Sequence, residues 1–445
     1  MSNLSVPLDL LGGGGVKGVS AAGDTGQLNY AFNTGSNLIE FAGVSPDCYG
    51  NVIAGGGNSV NRNIIYGNTS LRTISGGYNN IIGIQGTTGN TDTIASTIAG
   101  GAHHRIGLNL DNGLNTVTPN GTTNPDHGTI SGGSYNLIAN GDYATISGGN
   151  TNTVYETNAT AAQGNYATIG GGYGHIASGN NSTISGGNTN KIECSGGAIG
   201  GGNNNTIEGP VEGVNAKNAA GILSGSTNLI RCSGQAVISG GLSNQIGGSS
   251  LTVDFGSYST ISGGFQNKIG STTYAVFSAI AGGRDNRIES QASLAAGHGG
   301  YVPFTNGGFV FGGAPFANVG DAQSTVYVIK AVTTSATPVI MASMGSQIYI
   351  PNDTTWAFTC LISARNTGSN VESAAYEVKG CIDRESGGTT ALVGTPTVTV
   401  IAEDVAAWNV TVAANASGFL EISCVGEASK TIRWVGRLEL AEVTG

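Results

Sequence analysis

Charge is scarce in this sequence: only 10% of its 445 residues are Asp, Glu, Lys or Arg. The balance is 17 basic against 27 acidic residues with no basic cluster, which excludes the electrostatic footprint of a nucleic-acid binder. No apolar run reaches the roughly 18 residues of a membrane helix, so membrane insertion is not expected. The opening stretch, "M-S-N-L-S-V-P-L-D-L-L-G-G-G-G", lacks the basic and long apolar regions of a secretory signal. The six cysteines, at positions 48, 194, 232, 360, 381 and 424, follow no metal-ligand or C-x-x-C spacing. Cys360, Cys381 and Cys424 lie in β-like segments and read as small buried hydrophobes rather than disulfide partners. No cofactor and no metal is expected.

Glycine is abundant instead, with 76 residues, and much of it belongs to a repeat. "S-T-I-S-G-G-F-Q-N-K-I-G" at 259–270 nearly duplicates "S-T-I-S-G-G-N-T-N-K-I-E" at 182–193. The first Ile of the unit falls at 74, 98, 130, 146, 169, 184, 199, 222, 238, 261 and 280, so the shortest steps are 15 and 16 residues. Thr-Ile-Ser alternates like a short strand with Ile inward and Thr outward. Gly-Gly supplies the turn.

Asn80, Asn136, Asn152, Asn190, Asn205, Asn228, Asn244, Asn267 and Asn286 follow six residues after the Ile, and His104 and His175 hold the same slot. This slot reads as a left-handed turn residue. A second Ile or Val then begins another strand. Two strands and two turns in about 15 residues make one coil of a parallel β-solenoid. Two aliphatic side chains per coil leave a thin interior. The apolar stripe therefore predicts wrapping against identical chains, as a homotrimer. The outward file of Thr73, Thr97, Thr129, Thr145, Thr168, Thr183 and Thr260 is expected to be irregular, because the gaps between copies are unequal.

The run "N-A-T-A-A-Q-G-N-Y-A-T-I-G-G-G" at 158–172 and the T-I-S-G-G units resemble the head of trimeric autotransporter adhesins. The resemblance covers about residues 50–302 and implies a trimeric, left-handed parallel β-roll. Residues 303–325 read as a junction, because the repeat ends there in an aromatic, Gly-rich stretch. Residues 326–445 contain about eight short strand-like runs with turn signals between them, pointing to an antiparallel β-sandwich. Within them, "T-P-T-V-T-V-I-A-E-D-V-A-A-W-N-V-T-V-A-A-N" and "L-E-I-S-C-V-G-E-A-S-K-T-I-R-W-V-G-R" are similar to a C-terminal β-rich domain of phage tail fibres. The expected fold class is all-β: a trimeric solenoid followed by the sandwich.

That resemblance implies a virion structural protein, assembled in the host cytoplasm, that adsorbs to a host surface glycan or protein. Residues 1–50 would join it to tail or baseplate proteins, with Leu8, Leu10 and Leu11 as an apolar plug. The C-terminus carries Arg433, Arg437, Glu439 and Glu442, unlike a lipid-facing membrane anchor. The alternatives are a trimeric cell-surface adhesin and a tailspike-like polysaccharide depolymerase. The depolymerase needs paired carboxylates. Glu193, Glu208, Glu212, Asp254 and Asp285 occupy non-equivalent repeat positions, so no catalytic residue is assigned and the chain is read as no enzyme. His103, His104 and His175 would meet across three chains only if their slot faces a trimer axis. Trp356, Trp408 and Trp434 are receptor-binding candidates by residue type, with core packing as the competing role.

Overall fold

The structure is a computed structural model, and it describes residues 30–31, 37–40, 50–55, 63–66, 71–83, 95–107, 127–139, 141–155, 165–209, 219–231, 233–248, 255–368 and 371–445. The chain divides into two units, Met1–Thr227 and Asn228–Gly445. Among the described residues every regular element is a strand. The apolar plug at Leu8–Leu11 lies outside the described residues, as do Cys48, Cys232, Glu212 and Asp254.

In the first unit, two-residue strands stack in parallel files. Thr73-Ile74 pairs with Thr97-Ile98, then Thr129-Ile130, Thr145-Ile146, Thr168-Ile169 and Thr183-Ile184, always in the same register. A second file runs through Ile81-Ile82, Arg105-Ile106, Leu137-Ile138, Thr153-Val154, Ile176-Ala177 and Lys191-Ile192. Each strand is too short to be stable alone; ladder bonds to the next coil hold it, as when the Thr73 and Ser75 amides donate to the Ser96 and Ile98 carbonyls at 3.0 Å. From Thr73 to Thr183 the unequal gaps do not disturb the Thr file, contrary to the expectation of an irregular one, although Ala198, Gly221 and Val237 hold the Thr position before Thr260. Thr97 pairs with Thr129 although 32 residues separate them.

The interior also differs from the expectation. Ile74, Ile82, Ile98, Ile106, Ile130, Ile138 and Ile146 are all 0% exposed within a single chain. Both strand files turn their aliphatic side chains into one enclosed core, so the solenoid needs no second copy to cover an apolar stripe.

The Asn slot is not the left-handed turn residue. That conformation falls one position earlier, at Asn79, His103, Tyr135, Thr151, Thr189, Asn204 and Thr227, with φ between 48° and 58°. The Asn itself points inward and builds a ladder from coil to coil. Asn80 Oδ1 accepts the amide of His104 at 3.0 Å, and His104 Nδ1 accepts that of Asn136 at 3.2 Å. The chain of acceptors continues through Asn152 (3.0 Å), His175 (3.0 Å), Asn190 (3.1 Å) and Asn205 (2.9 Å). Each Asn Nδ2 also donates to two glycine carbonyls: Asn152 reaches Gly148 at 3.0 Å and Gly172 at 3.1 Å. This explains the second glycine of the repeat. At Gly149, φ is +83°, and a Cβ there would lie 2.2 Å from the Gly172 carbonyl oxygen and 2.7 Å from Asn152 Nδ2.

The second unit repeats the ladder through Asn228, Asn244, Asn267 and Asn286, each link at 3.0 Å, and ends on the amide of Gly300 at 2.9 Å. Its last coil strand, Leu294–His298, pairs in parallel with β1, Gly308–Gly313. The stretch read as a junction therefore carries a strand. The sandwich follows: β2 Ala322–Thr333, β3 Val339–Ile340, β4 Ile348–Tyr349, β5 Thr354–Asn366 and β6 Ser373–Arg384. Then come β7 Thr390–Leu392, β8 Thr397–Glu403, β9 Asn409–Asn415, β10 Phe419–Val425 and β11 Ile432–Thr444. One antiparallel sheet runs β1-β2-β11-β5-β6-β8, with β7 also on β6. The other joins β3, β4 and β9 to β10.

Between the sheets lie all three tryptophans: Trp356 and Trp408 are 2% exposed and Trp434 is 0%. Trp408 and Trp434 meet at 5.8 Å between ring centroids, and Trp434 Nε1 donates to Thr333 Oγ1 at 3.0 Å. The structure thus gives the tryptophans to the core rather than to an exposed contact surface: Trp356 and Trp434 sit on the inward side of alternating strands, and Trp408 packs in from the turn before β9. Cys360 and Cys424 are enclosed there too, with burial pushing each thiol up to about 12, and neither they nor Cys381 form a disulfide.

Candidate functional site

A coil that rises by one strand spacing, about 4.8 Å, places equivalent side chains of neighbouring coils at ring-stacking distance. The structure uses this at two corners of the first unit. Each Thr-Ile strand is entered through a residue in the left-handed region, two positions before the Thr. His127, Tyr143 and Tyr166 occupy it with φ of 55°, 55° and 57°. Such backbone is costly for a side chain with a Cβ, and the surrounding ladder bonds hold it in place. The small buried residue between, Ala144 or Ala167, lets the turn close tightly.

The rings that result point outward and stack. His127 and Tyr143 lie 4.5 Å apart at 6°, and Tyr143 and Tyr166 lie 5.1 Å apart at 3°. Tyr143 is 49% and Tyr166 57% exposed. Asn181 takes the next corner position, so one face of Tyr166 has no ring over it. At the other corner His103 stacks on Tyr135 at 4.5 Å and meets the edge of Tyr78 at 5.3 Å. In the second unit Tyr258 and Phe277 stack at 5.1 Å, both more than half exposed. The hydroxyls of such tyrosines sit at the wet end of an apolar ring, the combination that suits a carbohydrate with apolar C–H faces and many hydroxyls.

These residues were missed in the sequence, although a signal was there. "Y-A-T-I" occurs at 143–146 and 166–169, and "Y-S-T-I" at 258–261. The corner lies at the residue before the Asn slot and two before the Thr, where the sequence shows tyrosine rather than tryptophan.

The other candidates fall elsewhere. His104 and His175 are 0% exposed inside their own chain, with Nδ1 taken up by the ladder, so copies of them cannot meet at a common axis. Among the described residues no cluster of three metal-ligating groups occurs. Glu193 pairs with Lys191 at 2.5 Å, and Asp285 pairs with Arg284 at 2.8 Å. A buried carboxylate that the sequence reading overlooked, Glu289, accepts the amides of Thr272 (2.9 Å) and Thr273 (3.0 Å) and the Arg287 Nε (2.7 Å). Burial alone would raise its pKa; the Ser271 hydroxyl, those amides and Arg287 lower it overall, as befits a turn-fixing anion.

No family model matches this sequence, and no curated protein matches it. Among solved structures it is similar to the tailspike protein of Acinetobacter baumannii phage AM24, with 10% identity over 94% of this chain and 77% of that one and a TM-score of 0.24. It is similar to the tailspike of Acinetobacter phage vB_ApiP_P1 at 8% identity, 92% and 82% coverage and a TM-score of 0.20. A third is tailspike gp49 of Acinetobacter baumannii bacteriophage Fri1, a capsular polysaccharide depolymerase, at 8% identity, 88% and 79% coverage and a TM-score of 0.18. The expectation of a chain without enzymatic activity is corrected on this finding: the proteins it is similar to are tailspikes, and the Fri1 protein is an enzyme. At these TM-scores no site residue carries across.

Proposed function

We propose that this chain is a bacteriophage tail protein that attaches to its host by binding a surface polysaccharide along the corners of its solenoid. The observation carrying this reading is the row of stacked, half-exposed rings at His127, Tyr143 and Tyr166. The likeness of residues 326–445 to tail-fibre domains supports the phage setting. The reading places the chain in the virion, assembled in the host cytoplasm, with residues 1–50 joined to the tail or baseplate. Its test is binding of the full-length protein to a panel of purified capsular polysaccharides and lipopolysaccharides. At least one polysaccharide is expected to bind, and Tyr143→Ala/Tyr166→Ala to weaken it about tenfold or more, the loss of roughly 1.4 kcal/mol or more of aromatic anchor. Binding by none, or an unchanged affinity in the double variant, overturns the reading. The same incubations report whether the bound polysaccharide is shortened.

We further propose that the working form is a homotrimer. With the solenoid core closed within one chain, support comes from the sandwich. All seven residues of β8, "T-V-T-V-I-A-E", are exposed on an edge strand with a single charge, Glu403. Such an edge is a template for pairing unless another copy covers it. Phe311 and Phe316 stand 58% and 80% exposed beside an apolar groove formed with Ala357, Ala441 and Val443. Native mass measurement at micromolar concentration is expected to give three chains; a species of one 44.4 kDa chain would sink this part.

A further inference from the structure

Alternation along β11 sends Glu442 to the core-facing side of its sheet. There it sits directly between Gln323 of β2 and Trp356 of β5 in the cross-strand row. A carboxyl in that position is costly, and packing gives no reason for it. It borders a cavity of about 120 Å³ whose walls include Tyr301, Tyr349, Pro351 and Trp356.

Three other polar side chains around the cavity have partners. Asp321 accepts the amides of Phe316 (2.8 Å), Ala317 (2.6 Å) and Asn318 (2.6 Å). Gln323 bridges the Tyr301 amide at 2.7 Å and carbonyl at 2.9 Å. Thr305 Oγ1 donates to the Gln347 carbonyl and accepts the Tyr349 amide, each at 3.2 Å. Trp356 Nε1 is different. Its residue is 2% exposed, and this buried donor has no hydrogen-bond partner. Native structures rarely leave such a group unpaired.

We propose that this cavity is a recognition site for the acetamido group of an N-acetylated sugar. The Trp356 Nε1–H donates to the acetamido carbonyl, the Glu442 carboxyl accepts the acetamido N–H, and the methyl lies against Tyr301, Tyr349 and Pro351. Size agrees. A dry cavity of about 150 Å³ holds benzene, so this one takes the four heavy atoms of an acetamido substituent while the pyranose ring stays outside. Burial raises the Glu442 carboxyl to about 7, and the side chains of Thr325, Gln323 and Trp356 oppose the rise only in part. Only the source of the sugar, a host polysaccharide, rests on the proposed function; the pocket chemistry does not.

The test is saturation-transfer NMR on the full-length protein with free N-acetylglucosamine, glucose being the comparison sugar. The acetyl methyl is expected to receive the strongest saturation, and glucose none. Trp356→Phe keeps the ring and removes the donor; Glu442→Leu removes the acceptor. Each is expected to cut the methyl signal at least fivefold while near-ultraviolet circular dichroism stays native, and the exposed-face variant Thr183→Ala is expected to keep it. No methyl saturation in the parent protein, or an unchanged signal in either pocket variant, overturns the inference. Because the probe is a monosaccharide, that failure removes the pocket and leaves polysaccharide binding at the solenoid corners standing.

Discussion

Asn152→Ala is expected to destabilise the solenoid by about 2–3 kcal/mol. The substitution removes one acceptor and two donor contacts at once. The His175 amide loses its 3.0 Å partner, and the Gly148 and Gly172 carbonyls lose theirs at 3.0 and 3.1 Å. His175 is 0% exposed, so water does not replace the partner of its amide, and an orphaned buried donor costs about 1–3 kcal/mol. The half-buried Gly148 and the exposed Gly172, which keeps the Asn150 amide at 2.8 Å, lose less. Removal of the hydroxyl and methyl of Thr183, on the exposed side of its strand, is expected to change stability by no more than about 0.5 kcal/mol. Urea unfolding of both variants measures the contrast. Equal midpoints would mean that the inward amides are passengers.

Acid is expected to weaken the protein through the two histidines that stand in for Asn. His104 Nδ1 accepts the Asn136 amide, so a proton there would set two donors against each other. Burial holds the His104 pKa down at about 4 from 6.5; the Gly133 carbonyl opposes this and the neighbouring His103 adds to it. The unfolded chain therefore takes up a proton near pH 6.5 that the folded chain refuses until about pH 4. Stability is full above pH 6.5 and falls as pH drops towards 4, by about 3 kcal/mol from this group. Burial shifts His175 in the same direction. Thermal unfolding at pH 7 and pH 5 reads the loss. His104→Asn restores the ladder's usual residue and is expected to reduce it; an identical pH profile in the variant would place the acid sensitivity elsewhere.

The parts of this fold that follow from alternation alone were legible in the sequence. Thr-Ile is outside-inside in every described coil that carries it, and eight strand-like runs of the C-terminal segment are strands. The two that escaped, β3 and β7, are two and three residues long, too short to show a period. What the letters hid was direction. An Asn after Gly-Gly looks the same whether it bends the chain or turns inward to tie one coil to the next. Only the 0% exposure of Asn80, Asn152 and Asn190 separates the two. Counting aliphatic residues per coil likewise does not reveal that two strand files close on each other. The candidate site was hidden for the same reason: tyrosine at 143 and 166 gains meaning only once the stack brings those positions together. Glu442, three residues after the exposed Glu439, looks like one more surface charge until its place in the alternation is counted.

The inward ladder has a consequence for how such a chain changes over generations. Asn190 and Asn205 are joined as Asn244 and Asn267 are, although 15 residues separate the first pair and 23 the second. The joints are interchangeable, and Gly300, with no side-chain amide to hand on, closes the series. Unequal recombination between repeats can add or delete a winding without redesigning any interior. On the proposed reading, the separation between bound corners then shifts by whole steps, so the spacing of the grip is a heritable ruler rather than a fixed length.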